Sequence, residues 1–414
     1  MFIRRFAITN YRSLVDFKIE PMEQTTILFG DNNAGKSNAL FALYTIFQRK
    51  RQVDKEAGLR TFTSPRNFYS GVIENFANDF HNNIAADIEF QVEFSLSDAE
   101  LDLAAKLKRQ FRRRSLIDHN VMVFGGSLVK SDVGEDTAEI VLKGVTLNGR
   151  SVYQFDGQKQ SFTYFPLDDP TRKQQGRLGE PFARLVEPFN DCVALIESSR
   201  DMVPVPFNYD GQVEPIGSHN FKHFLHTLYL SDKGHSEFEQ INDVFNKDPF
   251  KLGIISFGKP GNQLEVMIQQ NGIRLPIKHM GSGVLQFLYI IARAIHTKSR
   301  VICIEELEQN LSPKNQELVL AKLQSMIADK ANNIDQVIIS SHSPVYADGN
   351  LGAVYLLEKK GDITRNQSRL TKKMNEGFKE HLFPAALPPD TYTDEEFEER
   401  RKELDRITEE MFRR

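Results

Sequence analysis

Gly30-Asp31-Asn32-Asn33-Ala34-Gly35-Lys36-Ser37 is the stretch whose reading decides the fold. Thr25-Thr26-Ile27-Leu28-Phe29 before it is a short apolar run of strand character, and a helical pattern runs from about Lys36 to Gln48 behind it. The spacing is G-x-x-x-x-G-K-[ST] between a strand and a helix, which is the arrangement of a phosphate-binding loop. Each residue type has a physical task. Loop N–H groups and the positive end of the helix surround a β-phosphate, Lys36 neutralises the β/γ oxygens, and Ser37 offers a hydroxyl to Mg²⁺. Nucleotide contacts are therefore expected from Gly30, Asn32, Asn33, Ala34, Gly35, Lys36, Ser37 and Asn38. The bland alternative is a glycine turn that happens to precede a helix.

The chain has 414 residues, 40% hydrophobic and 26% charged, enough apolar material for a sizeable core in two or three lobes. Such a composition excludes a disordered, fibrous or disulfide-stapled protein. Lys+Arg number 52 against 56 Asp+Glu, for a net charge of −4, so contact with nucleic acid would need a local basic patch. Cys192 and Cys303 are the only cysteines, a usage that fits a reducing cytoplasm. No stretch approaches the ~18 apolar residues of a membrane span, and the basic start lacks an apolar signal core. The expectation is a cytoplasmic protein with no membrane segment.

Residues 2–9 read as a strand ahead of the phosphate loop, and Ala86 to Leu96 alternates as another, with Ser97 capping a helix of about twenty residues. From Val121 to Phe165, short runs broken by Gly125-Gly126, Gly144, Asn148-Gly149 and Asp156-Gly157 predict antiparallel hairpins. Asp168 to Pro181 reads as a connection, Asn220 to Phe245 as a helical stretch, and Asn271-Gly272 as a hairpin turn. Between Met280 and Leu357, helix, strand, helix, strand and strand alternate as in a parallel sheet.

Three further segments carry chemistry. Val301-Ile302-Cys303-Ile304 ends in Glu305-Glu306, where Glu305 can hold a metal and Glu306 can polarise an attacking water; a solvated strand end is the alternative. Gln336 to Ser341 is a buried strand followed by His342, which can reach a γ-phosphate or be structural. His279-Met280-Gly281-Ser282-Gly283 opens an apolar helix over Val284–Ala294, either as a second anion site or as an ordinary helix cap. One chain needs one γ-phosphate cradle, so a second implies that two chains share nucleotides.

Asn10-Tyr11-Arg12-Ser13, the GSG helix, Glu305 to Pro313 and Ser341-His342-Ser343 together resemble the ABC-type ATPases of the OLD, RecF and SMC group. The match is best with the OLD-like ATPases of bacterial anti-phage systems and covers about residues 1–50 and 275–360. The resemblance implies ATP and Mg²⁺ as ligands and an ATP-dependent head-to-head dimer. It makes Gly281, Ser282 and Gly283 the signature acting in trans, Glu308 a D-loop residue, His342 the switch histidine and Arg12 an arginine at the nucleotide. Catalysis would then rest on Glu306, His342 and Lys36, with metal on Ser37 and Glu305. The sequence departs from the group at Glu305, where Asp is more usual, at Leu307 and Ser312, and in a signature that is not Leu-Ser-Gly-Gly-Gln. Gln91 is a weak Q-loop candidate, more readily read as a solvent-facing strand residue. Arg200 resembles a strand-terminal arginine of OLD-like proteins, or else makes a surface salt bridge.

The expected fold is α/β: an ABC-type P-loop ATPase head with mixed sheet, discontinuous over 1–55 and 185–370, a β-rich and helical insertion lobe over 60–184, and a helical tail over 371–414. No TOPRIM-like Glu and Asp-x-Asp set follows the head, and no other nuclease cluster is visible. The leading function is an ATPase subunit that senses and regulates within a defence complex, controlling a separate effector, a nuclease or toxin. The alternatives are a RecF-like DNA-repair ATPase and an ATP-bound scaffold without turnover. Six cations between Lys106 and Arg114 on one helix would be the DNA contact, or simply a solvated face. The tail places Phe397, Leu404 and Met411 at seven-residue spacing, a stripe for a partner or for the core.

Overall fold

β1 (Phe2–Tyr11) and β2 (Leu14–Ile19) form an antiparallel hairpin, and β3 (Thr25–Phe29) leads through the phosphate loop into α1 (Lys36–Phe47). The computed structural model describes residues 1–47, 73–74, 87–96, 121–130, 137–156, 161–164, 174–175, 189, 191–198, 205–206, 221–232, 234–247, 249–259, 263–329, 332–347 and 351–370. The strands then continue as β4 (Ile73–Glu74), β5 (Ile88–Ser95), β6 (Val121–Lys130), β7 (Thr137–Leu147), β8 (Arg150–Asp156), β9 (Ser161–Tyr164), β10 (Gln174–Gln175), β11 (Val193–Ile196) and β12 (Val205–Pro206). Helices α2 (Phe221–Leu230) and α3 (His235–Asn246) precede β13 (Ile254–Gly258), β14 (Gln263–Gln270) and β15 (Ile273–Pro276). The order closes with α4 (Ser282–His296), β16 (Val301–Ile304), α5 (Pro313–Ala328), β17 (Gln336–Ser341), β18 (Ala353–Lys360) and β19 (Ile363–Arg369).

Among the described residues, six strands form one sheet in the order β11-β16-β17-β3-β18-β19, parallel except for the antiparallel edge strand β19. All residues of β3, β16 and β17 are buried, as strands covered on both faces require. Alternation sorts them between two cores. Leu28, Cys303, Ile338 and Tyr355 point toward α1 and the first core, while Ile27, Ile302, Ile304, Val337, Ile339 and Val354 pack with the helices α2 to α5 on the other face.

A second sheet of nine strands runs β10-β9-β8-β7-β6-β5-β1-β2, with β4 beside β7, all antiparallel. The strands expected in the insertion therefore extend the sheet that β1 and β2 begin. β5 alternates buried and outward positions, which sets one face against the core. Where α1 ends, Phe47, Phe94, Phe124 and Phe189 meet edge-on or tilted, with centroids 5.2 Å apart for Phe47–Phe94 and 4.6 Å for Phe124–Phe189.

Two boundaries differ from the expectation. The stretch Asn220–Phe245 is two helices, because Ser231 Oγ accepts the Gly234 N–H at 2.8 Å and turns the chain between α2 and α3. The GSG helix begins at Ser282 and ends at His296, its N-cap being Gly281 at φ +91°. Both cysteines are buried, and burial pushes their thiols up. The helix expected after Ser97, the basic run 106–114, Arg200 and the tail lie outside the described residues, as does the connection 168–181 apart from β10. No helix among the described residues is long and apolar enough to cross a membrane.

Phe94 is fully buried at the junction of α1 and the nine-stranded sheet. Phe94→Ala should lower stability by about 3–5 kcal/mol in urea unfolding, and a loss under about 1 kcal/mol would show that the ring cluster does not join the two layers.

Candidate active site

Parallel pairing aligns the carboxyl ends of three strands. Ile304 of β16 sits opposite Ile339 of β17, and Phe29 of β3 opposite Ser341, so the acid pair, His342 and the phosphate loop leave the sheet side by side. Lys36 is 6% exposed, and its Nζ donates to Gly30 O and Asp31 O, both at 2.7 Å, inside the loop it closes. Burial lowers its pKa, opposed by the carboxylates of Glu308, Glu306 and Asp31 in that order. Glu308 and Glu306 follow β16, the next strand but one, while Asp31 belongs to the loop itself.

Glu305 is buried and its Oε2 accepts the Ser198 N–H at 3.3 Å, which ties the end of β16 to the loop after β11. Glu306 follows with φ +43°, a left-handed conformation that costs about 1–3 kcal/mol outside glycine, and its N–H donates to Ser340 Oγ at 3.3 Å. Strain of this kind persists only where the surroundings impose it. Ser37, at the first turn of α1, and Glu305 offer a hydroxyl and a carboxylate, an all-oxygen donor set that fits Mg²⁺.

Glu308 turns inward. Glu308 is 7% exposed, and its Oε1 accepts the His342 backbone N–H at 2.7 Å and lies 2.9 Å from His342 Nδ1, an ion pair when the imidazole is protonated, while Oε2 has no hydrogen-bond partner among the described residues. With Nδ1 beside the Glu308 carboxylate, the His342 ring is half exposed. The next loop is pinned as well: Ser343 Oγ donates to Gln316 Oε1 at 2.6 Å, and Tyr346 Oη donates to Gln316 O at 3.0 Å. Ser198, Ser340 and Gln316 carried no sequence signal, because each acts through a partner far along the chain.

Arg12, in the turn between β1 and β2, reaches the first turn of α1, its Nη1 donating to Asn38 Oδ1 at 3.2 Å and its guanidinium 5.3 and 5.4 Å from the Tyr11 and Phe41 ring centroids. Asn32 and Asn33 are exposed on the loop, and Ala34 and Gly35 are buried beneath it. Gly281 and Ser282 are exposed, and a Cβ on Gly283 would stand 2.6 Å from Asn310 O, so the GSG segment packs on the turn that follows Glu308. Gln91 is an exposed residue of β5, in register with Ala7 and Gly125.

The architecture is an α/β P-loop fold, a mainly parallel sheet that carries the phosphate loop together with a second, antiparallel sheet. Residues 1–163 and 209–347 match the family of the AAA ATPase domain, and the chain belongs to that family. It is 20% identical over 354 residues to an ATP/GTP phosphatase of Helicobacter pylori, covering 84% of this chain and 86% of that protein. It is 23% identical over 371 residues to an OLD nuclease of Thermus scotoductus, covering 87% of this chain and 62% of the nuclease's length. An SMC head domain from Thermotoga maritima aligns with a TM-score of 0.41 and 10% identity over 90% of this chain and all of that one. The family match and the likeness to the OLD nuclease agree with the motif resemblance to OLD-like ATPases.

Glu308→Gln keeps the shape of the side chain and removes the charge that holds His342. ATP turnover should fall roughly 10–100-fold while ATP affinity stays within about threefold; equal turnover in variant and parent would separate His342 placement from Glu308.

Proposed function

We propose that the chain is a Mg²⁺-dependent ATPase subunit whose nucleotide state pairs two heads and controls an effector carried on another polypeptide, in bacterial defence against phage. The observation that carries the ATPase reading is the convergence of the phosphate loop, Glu305-Glu306 and the Glu308-held His342 at one edge of the parallel sheet. The exposed Gly281 and Ser282, at the start of a separate helix, support sharing of that site between two copies. The defence setting is supported by the likeness to OLD-like proteins, among them the OLD nuclease.

In this reading the loop N–H groups and the first turn of α1 receive the β-phosphate, and Lys36 leaves its two carbonyl partners for β/γ oxygens. Glu306 takes the proton of an attacking water, and His342 Nε2 faces the γ-phosphate. Ser37 and Glu305 would hold Mg²⁺, which supplies charge neutralisation on the phosphate oxygens. The γ-phosphate is the anion that a partner's Ser282 N-terminal turn would meet, so hydrolysis would release the pair.

Lys36→Ala should abolish ATP binding. Glu306→Gln should bind ATP, turn it over slowly and accumulate as a dimer in light scattering. Ser282→Arg should bind ATP yet neither dimerise nor hydrolyse. Mixing Ser282→Arg with Lys36→Ala leaves one intact composite site per mixed dimer, and partial recovery of turnover is the expected result. Full activity of Ser282→Arg as a monomer would overturn the shared site.

A further inference from the structure

We propose that Thr364, on the edge strand β19, is a positioning residue for the nucleotide: its hydroxyl sets the orientation of Arg12, while its side-chain volume rests on the phosphate loop. The inference rests on the ATP site proposed above and adds to it a residue 328 positions beyond Lys36, read from the numbering alone.

Thr364 is 1% exposed, and its Oγ1 shares a 2.6 Å hydrogen bond with Ser13 Oγ, while its backbone N–H donates to Ser13 O at 2.8 Å. Ser13 Oγ also accepts from Asn38 Nδ2 at 2.9 Å. An amide whose nitrogen is committed in this way must turn its oxygen to the other side, and Asn38 Oδ1 there accepts from Arg12 Nη1 at 3.2 Å. Four side chains thus form one chain of hydrogen bonds, Thr364–Ser13–Asn38–Arg12, that ends at the Arg12 guanidinium against the first turn of α1.

The same threonine touches the loop directly. A Cβ on Gly35 would stand 2.0 Å from Thr364 Oγ1 and 2.9 Å from its Cβ and Cγ2, so the side chain rests on the Gly35 backbone, which holds φ +91°. The turn it fastens is itself strained, with Asn10 at φ +60° and Arg12 at φ +48°. Non-glycine residues stay in that region only when neighbours over-determine them. The paired backbone and hydroxyl bonds from Thr364 to Ser13 do so. Phosphate-loop residues and Arg12 therefore share one support, and an arginine fixed in advance loses less freedom on meeting a phosphate.

The test measures affinity for a fluorescent ATP analogue and kcat and KM for ATP, on the full chain. Thr364→Val keeps the volume and removes the hydroxyl; it should weaken binding about fivefold and raise KM with a smaller change in kcat. Thr364→Ser restores the hydroxyl and should recover most of the affinity, which a purely packing role would not allow. Thr364→Val in an Arg12→Ala background should add little, since the relay then has no end to orient. Wild-type affinity in Thr364→Val, equal weakening by Ser and Val, or multiplicative losses with Arg12→Ala would each overturn the proposal. If Thr364→Val does not fold, Ser13→Ala cuts the same relay and is read by the same criteria. A parent protein whose ATP binding is absent or survives Lys36→Ala would overturn the ATP site itself, a result distinct from all of these.

Discussion

A lysine ammonium at 6% exposure must be surrounded by oxygen or lose its charge, and the site of this protein is organised around that requirement. Two carbonyls of the loop hold Nζ directly, and three carboxylates act on it through space, Glu308 most strongly. None of the acids is close in sequence except Asp31. Their approach depends on β17 lying between β3 and β16, so the strand order of the sheet is what allows the loop to keep a buried cation.

That dependence explains what could be read from the sequence. The phosphate loop was legible because its geometry is local: eight consecutive residues between an all-buried strand and a helix. β16, β17 and the acid pair were legible because strands buried on both faces are continuous apolar runs with polar residues at their ends. Glu308 as the holder of His342 was not, since the two are 34 residues apart and joined by a hydrogen bond rather than a pattern. Thr364 is more remote still, 351 residues from Ser13, and a single threonine in an edge strand has no periodicity to mark it. The break between α2 and α3 was missed because the apolar spacing continues across Ser231 and Gly234, where a side-chain hydrogen bond overrides it.

The segment from Glu306 to Leu311 touches both candidate phosphate sites. At one end Glu306 and Glu308 face Lys36 and His342; at the other, Asn310 O lies where a side chain on Gly283 would have to be. Gln309 N–H donates to Glu306 O at 3.0 Å and Leu311 N–H to Glu308 O at 2.9 Å, and left-handed residues stand at Glu306 and Asn310. A turn bonded twice and held by two strained residues has few soft dihedrals left, so a shift at the acid end must displace the signature end or break a hydrogen bond. Gly283 keeps the gap to Asn310 O closed, and any larger residue would separate the two ends. In the shared-site reading proposed above, this short distance along the chain, rather than a long path through the core, would be the physical means by which the state of one nucleotide reaches the surface that meets the other.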